Sequence, residues 1–214
     1  MMLRSSDSGV NHMRLRFVLP LLLFCIRPSS AAAAPQTVPP APANPRAQDQ
    51  DTKWTEADRK ELLAKARHGD VSSQFWLGAA YEQGWFGKPD LHEALKWLSK
   101  AASRGNPDAQ VSLGQMYEDG EGVKQNYVLA AKWYRKAAEH FPDLGGAGQG
   151  RNRLGDLYLQ GLGVPKDYTQ AYMWFLLANS ERGLSIAKPL MTAADIQQAE
   201  QMANEWKRNH PDPH

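Results

Sequence analysis

The chain has 214 residues, of which 25 are basic and 23 acidic, and it contains a single cysteine. This nearly balanced charge argues against nucleic acid or another polyanion as the main partner. One cysteine cannot form a disulfide framework, so the folded part must be held together by its own hydrophobic core.

The first 34 residues have the pattern of a secretory signal peptide. Arg14 and Arg16 precede the apolar run Phe17–Ile26, and small residues follow at Ser29–Ala34. The apolar run is about ten residues long, too short for the roughly 20 that span a bilayer. We therefore expect cleavage near the end of this segment. Removing Cys25, four arginines and one aspartate leaves 21 basic and 22 acidic side chains, and no membrane span.

Residues 35–53 form a different kind of segment. They include five prolines and almost no large apolar side chains. Such a composition cannot bury enough surface to offset the entropy of ordering, and it predicts an extended, disordered linker. We expect the folded domain to occupy residues 54–208, with residues 209–214 as a tail.

The folded region contains the same pattern three times, as LGAAYEQGWFG, LGQMYEDGEGV and LGDLYLQGLGV. The steps between units are 36 and 41 residues, and the five extra residues fall in the glycine-rich segment Asp143–Gly150. Repetition at such a period is typical of stacked helical hairpins. Seven columns are identical in all three units: Leu77/113/154, Gly78/114/155, Tyr81/117/158, Gly84/120/161, Ala94/130/171, Trp97/133/174 and Ala101/137/178.

Each column has a structural explanation. Leu, Gly and Tyr at i, i+1 and i+4 form one stripe of a first helix, and a glycine there costs about 1 kcal/mol unless a second helix crosses closely. The later glycine suits a left-handed cap at the helix end. The Ala, Trp and Ala columns at i, i+3 and i+7 form the inner face of a second helix. These second helices are predicted to begin at Leu91, Tyr127 and Tyr168.

Helical caps are predicted at both ends of the array. Thr55 with Asp58, and Thr192 with Asp195, have the spacing of a capping box. The first of these helices has Glu61 where the repeats have tryptophan, which gives it a polar outer face. The repeats are predicted at about 69–104, 105–140 and 146–182, and the closing helix at 192–208.

These motifs resemble the Sel-one-like repeat (SLR) family, a branch of the tetratricopeptide-type α-solenoids. The family pattern is roughly A-x-x-x-L-G-x-x-Y-x-x-G-x-G-V, then D-x-x-x-A-x-x-W-x-x-x-A-A. The second unit matches it from Ala109 to Ala138, and the third from Leu154 to Ala178. The first departs in its loop, Gly84–Asp90. The resemblance covers about Lys65–Arg182 and implies an all-α, right-handed α-solenoid of three helix–turn–helix repeats with a helical cap at each end.

The resemblance also implies a function. Family members are mostly adaptors, and exported bacterial members often contact signalling or envelope systems. We therefore expect a monomeric, non-enzymatic scaffold, periplasmic or secreted in a Gram-negative bacterium, that binds a protein or peptide. In the related solenoids the first helices line a concave groove. Transferring that phase places eight partner-binding residues in the groove: Phe75, Glu82, Asp108, Val111, Gln115, Glu118, Asn152 and Asp156.

Other candidate sites are weaker. Trp85 and Phe86 lie off the repeat pattern, so they are candidates either for partner contact or for packing against the first cap helix. Ser185 and Lys188 match the S-x-x-K motif of serine β-lactamases, and a cysteine-rich bacterial subset of the family has been linked to β-lactam hydrolysis. The companion motifs and the cysteines are missing, so hydrolysis of a β-lactam or peptidoglycan-like substrate is the alternative function. The histidines lack zinc-site spacing, and we expect no metal or cofactor.

Overall fold

The computed structural model describes residues 54–140 and 145–211. The predicted signal peptide, the whole of the predicted linker, part of the glycine-rich segment and the last three residues lie outside the described residues. Within these ranges the chain forms nine α-helices and no strand. They are α1 (Glu56–Arg67), α2 (Val71–Gln83), α3 (Leu91–Ser103), α4 (Pro107–Asp119), α5 (Tyr127–Ala138), α6 (Ala147–Gln160), α7 (Tyr168–Leu177), α8 (Glu181–Ala187) and α9 (Ala193–Asn209).

The helices pack as three consecutive hairpins. α2 pairs with α3, α4 with α5, and α6 with α7, while α3 packs on α4 and α5 on α6 to join one hairpin to the next. α1 packs on α2 at one end, and α9 packs on α7 at the other. A 3₁₀ turn, Lys188–Leu190, follows α8. This arrangement confirms the predicted α-solenoid. No helix in the described part of the chain is long and apolar enough to cross a membrane.

The helix ends follow the predicted capping chemistry. Thr55 and Thr192 each accept from the backbone three residues on, and the aspartates at those positions reciprocate, so both capping boxes are present. Asn106 caps α4 through the backbone N–H of Ala109, 2.7 Å away, and proline follows at the first helical position. The first helices end at glycines in the left-handed region, where a side chain would be strained. These are Gly84, Gly120 and Gly161, with φ of 70°, 76° and 77°.

The earlier glycine column marks close helix crossings, as predicted. At Gly78 an added Cβ would lie 2.6 Å from Cγ of Leu98, closer than real contacts allow. At Gly114 and Gly155 the obstacles are the rings of Tyr134 and Phe175. The three partners share one column, directly after the repeated tryptophan. The glycines therefore let each first helix rest against the second helix of its own hairpin.

Two hydrophobic clusters form the core, and α4 contributes to both. The first contains side chains of α1 to α4, and the second joins α4 to α9. Trp97 and Trp174 are 3% and 6% exposed, as expected for core residues. Trp133 belongs to the same predicted inner face, but it is only half-buried. The fully buried ring of that hairpin is Tyr134, because it is the residue that packs on Gly114.

The described part of the glycine-rich segment is a closely packed turn. An added Cβ at Gly146 would lie 2.8 Å from the carbonyl oxygen of Pro107, and one at Gly150 would lie 2.8 Å from Cβ of Ala137. These glycines allow the start of α6 to approach both helices of the preceding hairpin. The described residues of the segment therefore form a turn at Gly145 and Gly146 that leads directly into α6.

Candidate functional site

The eight predicted groove residues fall into three groups. Glu82, Gln115, Asn152 and Asp156 lie on α2, α4 and α6 and are half-buried, so part of each side chain remains open to a partner. Asp108 and Glu118 are half-buried as well, but both are engaged inside the protein.

The remaining two predicted groove residues lie in the core instead of the groove. Phe75 and Val111 are 6% and 3% exposed and belong to the two hydrophobic clusters. The apolar stripe of each first helix is wider than the Leu and Tyr columns indicate, because neighbouring helices cover its flank. Neither side chain is available as an apolar contact in an open groove.

The environment of Glu82 opposes its negative charge. Burial is the main cause, and the nearby charge of Glu121 adds to it, while a hydrogen bond from Gln83 acts in the other direction. Together they raise the pKa of Glu82 from 4.5 to about 7. Near neutral pH this carboxylate is balanced between its two forms, and a cationic group brought beside it would favour the charged form.

Asp108 is occupied by the next hairpin. Its carboxylate accepts the backbone N–H of Gly146, which opposes the effect of burial, and burial prevails and raises the pKa of Asp108. α6 has no side-chain cap of its own, since Gly146 stands at its N-cap. Asp108 therefore supplies, from α4, an acceptor for one of the backbone N–H groups that have no partner within the helix at the start of α6.

Glu118 is also bound within the fold. The hydroxyl of the buried Tyr134 donates to Oε2 of Glu118 over 2.5 Å. Burial, followed by the charge of this carboxylate, raises the pKa of Tyr134 well above its usual value. Glu118 thus satisfies a phenol in the core, and replacing it would leave that hydroxyl without its acceptor.

Asp156 lies on α6, at the other end of the predicted groove from Glu82, and has two arginines near it. Burial raises the pKa of Asp156, and the charges of Arg182 and Arg153 partly offset that effect. Both ends of the predicted groove therefore hold a half-buried carboxylate whose charge is only partly compensated.

The loop aromatics pack mainly on the first cap. The ring of Trp85 stacks on Trp54 at 5.4 Å, and Phe86 meets Trp54 edge-on at 5.9 Å. The guanidinium of Arg59 lies 5.8 Å from the centre of the Phe86 ring. Both loop side chains are half-buried, which favours the packing interpretation. An open cleft of about 510 Å³ remains beside them, lined also by Thr55 and Glu56.

One structural column escaped the sequence analysis. Three residues before the repeated leucine stand Gln74, Gln110 and Arg151, and each donates to a carbonyl at the end of the preceding helix. Arg151 is 1% exposed and reaches further, to the carbonyls of His140 and Leu177. Identity between the repeats does not mark this column, since its residues share a donor group but not a residue type.

The alternative catalytic motif has an ordinary structural role. Ser185 lies in α8 and Lys188 begins the 3₁₀ turn, so both residues of the motif lie in helical structure. The Ser185 hydroxyl donates to the carbonyl of Arg182 over 2.8 Å. Among the described residues, no group of three or more His, Cys, Asp or Glu side chains could hold a metal ion.

The fold defines a helical-repeat protein built from stacked hairpins. A sequence model of the Sel1 repeat matches residues 71–106, 107–140 and 149–181. A Sel1 repeat protein from Oxalobacter formigenes is 32% identical, with a TM-score of 0.51, and the match covers 70% of this chain and 98% of that one. The chain belongs to the Sel1 repeat family, as its motifs indicated.

A second solved structure shares the fold but is much larger. It is a protective antigen of uropathogenic Escherichia coli strains that displays an SLR fold, 33% identical with a TM-score of 0.64. The match covers 74% of this chain but only 34% of the antigen, so this chain spans about a third of that protein's length. A comparison with curated proteins found no match. Proteins of this class are generally non-catalytic repeat scaffolds that contact other proteins.

Proposed function

We propose that this chain is an exported, non-enzymatic adaptor that binds a cationic peptide segment of a protein partner along α2, α4 and α6. The supporting observation is the charge of α2 and α4, whereas α6 carries two arginines and one aspartate. α2 and α4 contain four carboxylates and no lysine or arginine. Glu82 and Asp156, at the two ends of the row, are half-buried with raised pKa values, so a partner's lysine or arginine would stabilise their charged forms.

The binding surface is proposed as Glu82, Gln115, Asn152 and Asp156. These residues are partly open and spread over three successive hairpins, which suits an extended or helical peptide. Trp85 and Phe86 would contact the partner only where their half-buried side chains border the open cleft.

The test uses a labelled peptide with alternating lysine and leucine residues. Replacing Glu82→Gln together with Asp156→Asn removes two charges but also removes two desolvation penalties, so folding should be unharmed. We expect its affinity for the peptide to fall at least about fivefold. The control, Glu200→Gln with Glu205→Gln, removes the same charge from exposed positions of α9. Equal affinity in wild type and both variants would exclude this surface.

The pH dependence gives an independent check. A carboxylate whose folded-state pKa is raised is protonated below that pKa and charged above it. As pH rises from 6 to 8 through the pKa of Glu82, wild-type affinity for the peptide should increase about fivefold. Glu82→Gln alone should remove that dependence. A pH response that persists in Glu82→Gln would assign it to another group.

The remaining parts of the proposal have direct measurements. N-terminal sequencing of the exported protein should find a chain that begins near Ala34, whereas an uncleaved cytosolic chain would contradict export. The purified mature chain should leave nitrocefin intact. Hydrolysis that disappears in Ser185→Ala would instead support the S-x-x-K alternative.

A further inference from the structure

Charge is segregated between the two layers of the first two hairpins. The second helices, α3 and α5, carry five cations and one carboxylate, the reverse of α2 and α4. The five cations are all exposed, and we call them the outer basic face: Lys96, Lys100, Lys132, Arg135 and Lys136.

Two of these lysines occupy equivalent positions on tryptophan rings. Lys100 Nζ lies 4.3 Å from the centre of the Trp97 ring, and Lys136 Nζ lies 4.6 Å from the centre of the Trp133 ring. A lysine also precedes each tryptophan, so the sequence K-W-x-x-K occurs in both helices. A lysine over an indole ring has its ammonium group held in place, which lowers the entropy lost when that group binds an anion.

In the third hairpin the residue types of these two columns differ, and so does their burial. The positions of Lys132 and Lys136 become Met173 and Leu177 in α7, which are 5% and 6% exposed. They belong to the same cluster as Ala199 and Ala203 of α9. The chain therefore places apolar residues in the two columns where its own helix covers them, and cations where both columns are left open.

The carboxylates near this face leave most of its charge unbalanced. Glu93 is hydrogen-bonded to Lys96 at 2.7 Å and to the indole of Trp97 at 3.0 Å. Arg135 donates to the hydroxyl of Tyr158. In the part of the chain that the structure describes, the three ion pairs of 4 Å or less leave out Lys100, Lys132 and Lys136.

We propose that the outer basic face binds an acidic peptide segment of a second protein partner. The charge complementarity is local, since carboxylates four residues apart on a helix match cations at i and i+4 on α3 and on α5. The side chain of Val128, 51% exposed, lies one turn before Lys132 on the face that Lys132 and Arg135 share. A mixed surface of this kind suits a protein segment.

Other anionic partners fit this face less well. Nucleic acid and similar polyanions favour a dense array of cations, whereas Glu93 and Glu139 interrupt this one. A membrane surface favours several exposed apolar side chains that insert beside the cations, and on α3 and α5 only Val128 is a large exposed apolar residue. This face and the surface proposed for a cationic peptide lie on different helices, so one chain would connect partners of opposite charge.

The experiment uses a labelled helical peptide with glutamates spaced four residues apart, and its glutamine twin. Lys100→Gln with Lys136→Gln should weaken binding of the acidic peptide at least about fivefold, and added salt should weaken wild-type binding. Arginine at both positions should preserve it. The matched control is Lys166→Gln with Lys188→Gln, which removes the same charge from exposed positions outside the face, including a lysine 5.1 Å from the Tyr168 ring.

Several outcomes would overturn the proposal. They are no binding by the wild type, equal binding of the glutamine twin, or equal losses in the test and control variants. Tighter binding to heparin or to vesicles with anionic lipids, lost in the Lys100 and Lys136 variant, would assign the face to a polyanion or a membrane. The Glu82→Gln variant should bind the acidic peptide normally, so failure of the groove proposal would leave this result unaffected.

Discussion

The second and third hairpins contain the same seven columns, but they are connected to the rest of the molecule differently. In the second, Gln110 makes one hydrogen bond to the end of α3. In the third, Arg151 takes the same position and binds the ends of both α5 and α7, while its guanidinium lies 4.8 Å from the centre of the Trp206 ring of α9. A middle repeat has to join one neighbour on each side. The last repeat must also hold the closing helix.

The difference also extends to the outer columns. Where α5 faces solvent it carries lysines, and where α7 meets α9 the same columns are apolar. The two outer columns of the last hairpin therefore stabilise the fold, whereas the same columns of the second hairpin remain open to partners. Perturbing the two hairpins at equivalent positions should separate these roles.

The first difference is expected at the donor column. Arg151→Met should cost about 3 kcal/mol of unfolding free energy, because several buried carbonyls lose their donor at once. Gln110→Met, which removes one such hydrogen bond, should cost about 1 kcal/mol. Denaturant unfolding of both variants measures the two losses. Equal costs would mean that Arg151 does no more than its glutamine counterpart.

A second difference is expected at the repeated tryptophan. Trp174→Ala should cost about 4 kcal/mol, since the ring is buried and packs 6.3 Å from Trp206 in the closing helix. Trp133→Ala should cost about 2 kcal/mol, because half-burial leaves a smaller cavity. Urea unfolding gives both values. A larger loss for Trp133 than for Trp174 would contradict the half-burial of its ring.

Much of the fold could be predicted from the sequence, because its determinants are local or repeated. The crossings at Gly78, Gly114 and Gly155 were predictable, since a helix carries an interior glycine at a cost and three such glycines in register need a shared cause. The two capping boxes were equally direct, because their partners are three residues apart. The family resemblance rests on these same columns.

The candidate site was less predictable, because it depends on which neighbour covers each helix face. The sequence pattern places Phe75 and Val111 on the groove side of their helices, but both side chains belong to the hydrophobic clusters. The stacking of Trp85 on Trp54 joins residues 31 positions apart and follows no repeat. The outer basic face is not marked by invariant residues; its signal is a pair of columns that change from lysine to an apolar residue in the third repeat.

The smallest effect concerns how each first helix begins. The N-cap residue of α4 is Asn106, whose side chain makes the capping hydrogen bond. The N-cap residue of α6 is Gly146, and its backbone N–H donates to Asp108 on α4. If Asp108 acts as a cap between hairpins, Asp108→Ala should cost about 1 kcal/mol, similar to Asn106→Ala. A purely exposed groove carboxylate would cost under about 0.5 kcal/mol.

The amide variant separates capping from charge. Asp108→Asn keeps an oxygen that can accept the Gly146 N–H and removes a carboxylate whose pKa burial has raised. Its stability at neutral pH should therefore equal or exceed that of the wild type, as thermal unfolding would show. If the alanine and asparagine variants were equally destabilised, the negative charge at the start of α6 would be the important feature. If neither variant lost stability, Asp108 would be free to contact a partner. It would then add a central carboxylate to the binding surface proposed on α2, α4 and α6.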